Sequence, residues 1–424
     1  MTGMNPMKRR SFLAGTAGLA VTGALAACGS SGTGGGGGED GSKGGSTVTV
    51  WHYFSEDNQV ALMEQYKDKF ESENDGVTVE NVYVPYDQIN SKVVNAAGSQ
   101  TGPDVVVFNG AEAAILALGG GLKPINEEWA AYEDAAQFPD SVQHTIDDTL
   151  YAVQGYVNLL GLWCNMDKLD ELGLEPPTTV DELESAMEAA QKTGLAGITV
   201  SGLPQSQGEW QAYPWLSSQG FTYESPDEQA LTEGFAMVNS WVEKGYLSKE
   251  ATTWDQTVPF QQFLAGKSLF AANGNWQIAL AESDATFEYV VVPLPVGSTG
   301  QVYLGGEGQG VGAFSQNPQL AWQYLTSTYY SVAGQLAAVE SVGSIPARED
   351  ANQDSAVTDN DLLTPFSETV AELGANYPSA AIPPESVADV QTTVGQAWSA
   401  AMGGQQDPES AAQTVMQLLE SLSS

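Results

Sequence analysis

The strongest constraint on what this chain can fold into lies between Thr47 and Phe108, where short β-branched runs alternate with segments patterned at helical spacing. Val48-Thr49-Val50-Trp51-His52-Tyr53 is nearly continuous in apolar and β-branched residues, the pattern of a strand covered on both faces. Leu62, Tyr66 and Phe70 follow at spacing four with Met63 beside them, one face of an amphipathic helix. Val77-Thr78-Val79 with Val82-Tyr83-Val84 predicts a second strand, ended by Pro85. A helix is then expected from Tyr86 to Ala97, and Gly102-Pro103-Asp104 leads into a third strand, Val105-Val106-Val107-Phe108. Strands and helices in this order call for a parallel sheet with right-handed crossovers. Ligands of such sheets sit beyond the carboxyl ends of the strands, which marks Tyr53 to Glu56 and Asn109 to Glu112.

Beyond Phe108 the pattern loosens. Leu122-Lys123-Pro124-Ile125 and the segment to His144 read as surface helices and loops. The apolar run from Tyr151 to Trp163 is too extended for one small lobe and is expected to carry the chain into a second. There Thr179 with Glu182 forms a helix start, Ile198-Thr199-Val200 a strand, and Asp227 to Lys244 and Val258 to Ala265 two helices. Trp241 and Trp322, at helical spacing, read as core.

The N-terminus carries a different signal. Lys8, Arg9 and Arg10 open an uncharged stretch from Phe12 to Ala27 that stops at Cys28, the layout of a secretory leader. It resembles a bacterial lipoprotein leader: Leu25-Ala26-Ala27-Cys28 fits a lipobox, which implies lipidation of Cys28, and Arg9-Arg10 before Phe12-Leu13 resembles a twin-arginine export signal. The stretch falls short of the roughly 20 apolar residues that span a bilayer. Gly29 to Ser46, almost all Gly and Ser, reads as a flexible tether.

Composition then excludes several functions. Asp and Glu number 53 against 14 Lys and Arg, three of the latter in the leader, so the body repels nucleic acid and anionic membrane. Past the leader the only arginine is Arg348, which rules out clusters for bidentate phosphate binding. The cysteines are Cys28 and Cys164 and the histidines His52 and His144, too few for a disulfide framework or a His/Cys metal site; no cofactor is expected. Cys164, within Leu159-Leu160-Gly161-Leu162-Trp163, reads as a buried small hydrophobe.

A series of segments resembles the family 1 extracellular solute-binding proteins of carbohydrate ABC importers, of which maltose-binding protein is a distant relative. In the first half these are Gly102-Pro103-Asp104-Val105-Val106, Asn165-Met166-Asp167-Lys168-Leu169, Gly173-Leu174 and Pro177-Thr178-Thr179. In the second they are Phe263-Leu264-Ala265-Gly266-Lys267-Ser268-Leu269-Phe270, Gly274-Asn275-Trp276, Val290-Val291-Val292-Pro293-Leu294-Pro295 and Gly305-Gly306-Glu307-Gly308. No one motif decides; their order and spacing do. The resemblance implies a periplasmic-binding-protein-like α/β fold of two lobes with a hinge and an interlobe cleft. Mapped here, it gives a leader over 1–27, a tether over 28–46, a first lobe over 47–156 plus 294–328 and a second over 157–293 plus 329–424. It implies a lipid-anchored, extracytoplasmic monomer on a Gram-positive type cell surface, touching the membrane through its lipid alone. That protein would bind no nucleic acid and pass a mono- or oligosaccharide to ABC permease subunits.

A sugar presents C–H patches on its faces and hydroxyls at its rim, so its site needs flat aromatic rings with a few amides or carboxylates. By its match to the family's stacking tryptophan, Trp276 is the leading candidate, with Tyr213 and Trp215 as a second aromatic wall and Trp254 in reserve. Tyr53, Asn109 and Glu307 are expected to supply polar groups from the first lobe and Tyr156 from the crossover, while Arg348 is expected to reach the ligand or the opposite lobe. Gly308, Gly310 and Ala313 fit a weak G-x-G-x-x-A dinucleotide pattern, but Asn317-Pro318 follows too soon for its helix, so a glycine turn at the ligand's edge is the preferred reading. No G-x-S-x-G nucleophile elbow is present. Another solute such as a polyamine, which would demand facing carboxylates, and a surface glycosidase built on some acidic pair are the remaining alternatives.

Overall fold

The computed structural model describes residues 46–422; the leader, Cys28 and the Gly/Ser stretch as far as Gly45 lie outside the described residues. The chain forms two α/β lobes, each around its own sheet. The first sheet has six strands in the order Val77–Tyr83, Ser46–His52, Val105–Asn109, Glu307–Val311, Thr149–Gln154 and Gln143–Ile146. Its first three are parallel, as the alternating pattern requires, and Glu307–Val311 runs antiparallel to both of its neighbours. Alternate residues of the central strand serve opposite layers. Val105 and Val107 pack with Leu62, Met63, Tyr66 and Phe70 of the helix Asp57–Glu73. Val106 and Phe108 pack with Ile89 and Val93 of the helix Ile89–Gly98. A strand covered on both faces has no place for polar side chains, which is why its sequence is unbroken in apolar residues.

The second sheet has four strands, Tyr289–Val292, Leu160–Asn165, Ser268–Gly274 and Ala196–Thr199, the last two parallel. Every residue of Leu160–Asn165 and Ser268–Gly274 is buried. Thr179 caps the helix Val180–Lys192 through Glu182, as its sequence predicts. Cys164 is buried and, among the described residues, unpaired, its thiol pKa pushed up by burial. The helices Ser206–Ser218, Glu228–Glu243, Val387–Met402 and Pro408–Leu422 pack on one another beside this sheet.

The chain crosses between the sheets at Gly155 to Leu159. Tyr156–Val157 pairs with Ile345–Pro346, and Asn158 bridges to Gly305, so three passages of chain lie side by side. Gly155 is needed there because a Cβ would stand 2.5 Å from the Tyr329 carbonyl oxygen. Among the described residues no helix is long and apolar enough to cross a membrane.

Four expectations are corrected. Residues 329–348 pack on the first lobe instead of the second: Tyr330 Oη donates to the Gln309 carbonyl at 2.8 Å, Tyr66 Oη to the Gly334 carbonyl at 2.8 Å, and Tyr329 meets the Tyr66 ring edge-on at 4.7 Å. Conversely, Val302–Leu304, expected in the first lobe, pairs with Gly374–Asn376, and Tyr303 lies on Tyr213 of the second. Gln143–Ile146 is a strand, where a loop was expected; its polar sequence suits the sheet edge it occupies. Gly308 and Gly310 sit in a strand, where a turn was expected, because a Cβ on Gly308 would meet the Phe108 ring at 2.7 Å; Pro318 then opens the helix Pro318–Ser327 at a position where its missing N–H costs nothing.

Arg348 is likewise turned away from any ligand. Its guanidinium donates to Asp350 through Nε and NH2 (2.8 and 2.7 Å), and through NH1 to Asp134 (2.9 Å), the Tyr132 hydroxyl (3.2 Å) and the Tyr330 carbonyl (2.9 Å). It therefore pins the segment after Ile345–Pro346 to the first lobe. Both carboxylates are about half exposed, which weakens their share, so the main loss on truncation is the buried hydrogen bonding. Arg348→Ala is expected to lower stability by about 2 kcal/mol in urea unfolding and to leave ligand affinity within twofold; a tenfold loss of affinity in a folded variant would contradict this placement.

Candidate functional site

Each sheet carries candidate residues at the carboxyl ends of its parallel strands. On the first lobe, Tyr53, Tyr86 and Asn109 follow or close three successive strands, and Glu307 starts the antiparallel strand with Asn109 as its register partner. Tyr53 Oη donates to Glu307 at 2.9 Å, and Asn109 Nδ2 to Tyr86 Oη at 2.8 Å. The Asn109 side-chain oxygen caps the turn Gly110–Glu112. That turn delivers Glu112 into a buried position, where Asn90 Nδ2 donates to it at 2.5 Å.

On the second lobe, the strand Ser268–Gly274 ends at Gly274-Asn275-Trp276. Trp276 is half-buried, and its ring folds back so closely that a Cβ on Gly274 would overlap it. Trp254, also half-buried, is placed by Ser201 Oγ, which donates to its carbonyl at 2.8 Å from the end of the neighbouring strand. The helix Ser206–Ser218 brings Gln207, Trp210 and Gln211 onto one face by their three- and four-residue spacing. The Trp210 ring covers Gly305 so tightly that a Cβ there would lie 2.4 Å from it, and meets Tyr377 edge-on at 4.8 Å. Ser206 Oγ approaches Tyr86 Oη across the cleft at 3.5 Å.

Five side chains in these walls hold buried polar atoms with no hydrogen-bond partner: Asn90 Oδ1, Gln207 Oε1, Glu209 Oε2, Trp210 Nε1, and both amide atoms of Gln211. Such groups are costly to bury unsatisfied, so they mark a surface built to meet something else. Burial raises three carboxyls. Glu112 is pushed up to about 7 against the opposing bond from Asn90, and Glu209 to about 7 although Tyr303 and Tyr223 donate to it at 2.7 and 2.9 Å. Glu307 is raised too, with Tyr53 and Tyr156 holding it down in part. Among the described residues no cluster of side chains is arranged to hold a metal ion.

Tyr53, Asn109, Glu307 and Trp276 thus stand at strand ends, and Trp254 follows the turn Lys249–Thr253. Tyr156 is buried at the crossover, its hydroxyl near Glu307. Two candidates are corrected. Trp215 is fully buried and meets Trp241 edge-on at 5.1 Å, inside the second lobe. Tyr213 has both ring faces covered, by Tyr303 at 3.9 Å and Tyr223 at 5.7 Å, and its hydroxyl donates to Gln301. Helical phase separates Trp215 from Trp210, which the same sequence cluster contains, whereas Tyr213 lies one turn on from Trp210 and both stack on Tyr303. Sequence reasoning marked the stretch Asn109 to Glu112 but did not single out Tyr86, Asn90, Glu209, Trp210, Tyr303 or Tyr377. The strand-end rule applied to the second strand would have found Tyr86; no local pattern marks Tyr377.

The sequence pattern of the bacterial extracellular solute-binding proteins matches residues 65–365, and the chain belongs to that family of binding proteins. Its fold is that of the GacH receptor of Streptomyces glaucescens, solved unliganded and with acarbose, at 23% identity and TM-score 0.79 over 89% of this chain and 99% of that one. Maltose-bound T. maritima MalE3 shares it at 20% identity and TM-score 0.78 over 89% and 99%. A solute-binding protein from Thermotoga lettingae, bound with alpha-D-tagatose, does so at 22% identity and TM-score 0.77 over 88% and 100%.

The raised pKa of Glu112 has a pH consequence. A carboxyl that holds its proton more tightly when folded makes the folded state less stable as pH rises from about 4.5 through 7. His52 and His144, lowered to about 4 by burial, act in the opposite sense but equally in wild type and variant. Glu112→Gln is therefore expected to gain roughly 2 kcal/mol relative to wild type between pH 5 and pH 8. Urea midpoints at the two pH values measure this, and an unchanged difference would contradict the buried charge.

Proposed function

We propose that the protein is a substrate-binding component that captures a mono- or oligosaccharide outside the cytoplasm and hands it to the permease of an ABC importer, held at the cell membrane by lipid on Cys28. The observation that carries the reading is the pairing of half-buried indole rings with open amides: Trp276 and Trp254 offer flat apolar surface, while Gln207, Gln211, Asn90 and the indole N–H of Trp210 answer hydroxyls. The family supports it, and the named neighbours were solved with sugars or a sugar analogue. Its mechanism is hinge closure about residues 155–159, 305–306 and 343–346, where the lobes gain the ligand's contacts together only when closed. The permease then reads the closed shape. The protein acts as a monomer, needs no cofactor and leaves its ligand chemically unchanged; recovery of intact oligosaccharide after overnight incubation separates it from a glycosidase.

Calorimetry against a saccharide panel should show that Trp276→Ala and Trp210→Ala each weaken binding tenfold or more, about 1.4 kcal/mol, whereas Trp215→Phe changes it less than twofold. X-ray scattering should show compaction when the saccharide is added. Tight binding with no change in dimensions would remove hinge closure from the mechanism.

A further inference from the structure

Two phenols stand side by side at the strand ends of the first lobe. Tyr53 and Tyr86 are both half-buried, and their rings meet edge-on with centres 5.0 Å apart. A phenol hydroxyl has one proton to give and can also accept, so what it offers a ligand depends on which of the two its protein partner has taken. These two are partnered in opposite senses.

The sense at Tyr53 starts from a backbone N–H. Leu159 N–H donates to the side-chain oxygen of Asn275 at 2.8 Å, which turns the Asn275 amide nitrogen toward the Gly343 carbonyl (2.8 Å) and Asn158 Oδ1 (2.9 Å). The Asn158 amide nitrogen is thereby aimed at Glu307 Oε2, 3.3 Å away. A carboxylate only accepts, so its other oxygen, Oε1, takes the Tyr53 proton at 2.9 Å. Tyr53 is left with lone pairs to offer. At Tyr86 the sense is reversed. Ala111 N–H donates to Asn109 Oδ1 at 3.1 Å, so Asn109 Nδ2 donates to Tyr86 Oη at 2.8 Å and the Tyr86 proton is not consumed. Ser206 Oγ, 3.5 Å away on the second lobe, is too distant to hold that proton firmly.

Resting on the carbohydrate reading above, we propose that Tyr53 and Tyr86 read the sugar's oxygens with fixed and opposite polarity: Tyr53 accepts from a free hydroxyl, Tyr86 donates to an oxygen, and Glu307 is the positioning residue that imposes the sense of Tyr53 from the crossover. The site then demands an unsubstituted hydroxyl at one place, and at the other takes a hydroxyl or the ether oxygen of a linkage alike.

Glu307→Gln tests the sense at nearly unchanged shape. Asn158 still donates, so the new amide turns its oxygen to Asn158 and its nitrogen to Tyr53, which frees the Tyr53 proton for the cleft. In the full chain with 13C-labelled tyrosine at pH 8, the Tyr53 Cζ resonance, assigned by its loss in Tyr53→Phe, is expected to move upfield in Glu307→Gln, as a phenol does when it stops donating to a carboxylate. Calorimetry uses maltotriose, chitotriose and mannotriose, with the monodeoxy and monofluoro analogues of whichever binds; fluorine keeps a weak acceptor and removes the donor. At one hydroxyl the deoxy and fluoro analogues are both expected to bind roughly tenfold more weakly than the parent, with the fluoro analogue recovering about threefold over the deoxy in Glu307→Gln. At another the fluoro analogue is expected to outbind the deoxy about threefold in wild type, a gap that closes in Tyr86→Phe. Circular dichroism confirms that each variant is folded. An unmoved Tyr53 resonance, or one pattern of analogue affinities in wild type and Glu307→Gln, would overturn the polarity inference and leave the carbohydrate reading intact. Failure of all three trisaccharides and their monosaccharide units to bind would overturn both.

Discussion

The side chain of Asn275 holds the molecule's architecture together. It accepts from the backbone of Leu159 at 2.8 Å and donates to Asn158 at 2.9 Å and to the Gly343 carbonyl at 2.8 Å. Asn158 in turn donates to Glu307 at 3.3 Å and pairs through its backbone with Gly305. One buried amide therefore touches two passages of chain between the lobes directly and reaches the third through Asn158. It does so one residue before Trp276, so the ring that faces the cleft is placed by the group that fixes the hinge. Every bond in this relay is buried or partly buried, where exchange with water is poor and an orphaned partner is expensive.

The cleft inverts the usual economy of a protein interior. The strand Val105–Asn109 is sealed between two helical layers, and the buried Arg348 has partners at all three of its nitrogens. In the walls of the candidate site Asn90, Gln207, Glu209 and Gln211 each keep one oxygen without a donor, and phenols crowd nearby. Breaches of local consistency are where function is expected, since the stability such a group forgoes is recovered when something binds it. The tyrosines serve this directly. Tyr303 stacks on Tyr213 and donates to Glu209, so that Glu209 is oriented by groups that are themselves fixed.

How far the sequence foretold this depended on whether a feature was local. The parallel order of the first three strands, the cap at Thr179 and the core role of Trp241 followed from residue spacing because neighbours in sequence decide them. Tyr53 and Asn109 were legible through the rule for strand ends. Trp215 and Trp210 could not be told apart by composition, since both are tryptophans of one helix; the packing of Trp241 on one and of Tyr377 on the other separates them. Arg348 looked available because it is the lone arginine of the body, and it is occupied because Asp134, far away in sequence, lies beside it.

Hydrophobic periodicity, turn chemistry and the order of short motifs were thus sufficient, from the sequence by itself, for a two-lobed α/β binding protein with aromatic residues near its cleft. Only the tertiary structure decided which aromatic rings keep a free edge, which lobe holds residues 329–348, and that Glu112 is buried against Asn90 and Glu209 against Tyr303 and Tyr223. Those outcomes rest on contacts between residues far apart along the chain, and burial, which sets the charge state of each carboxyl, is a property of the assembled walls and of no single stretch within them.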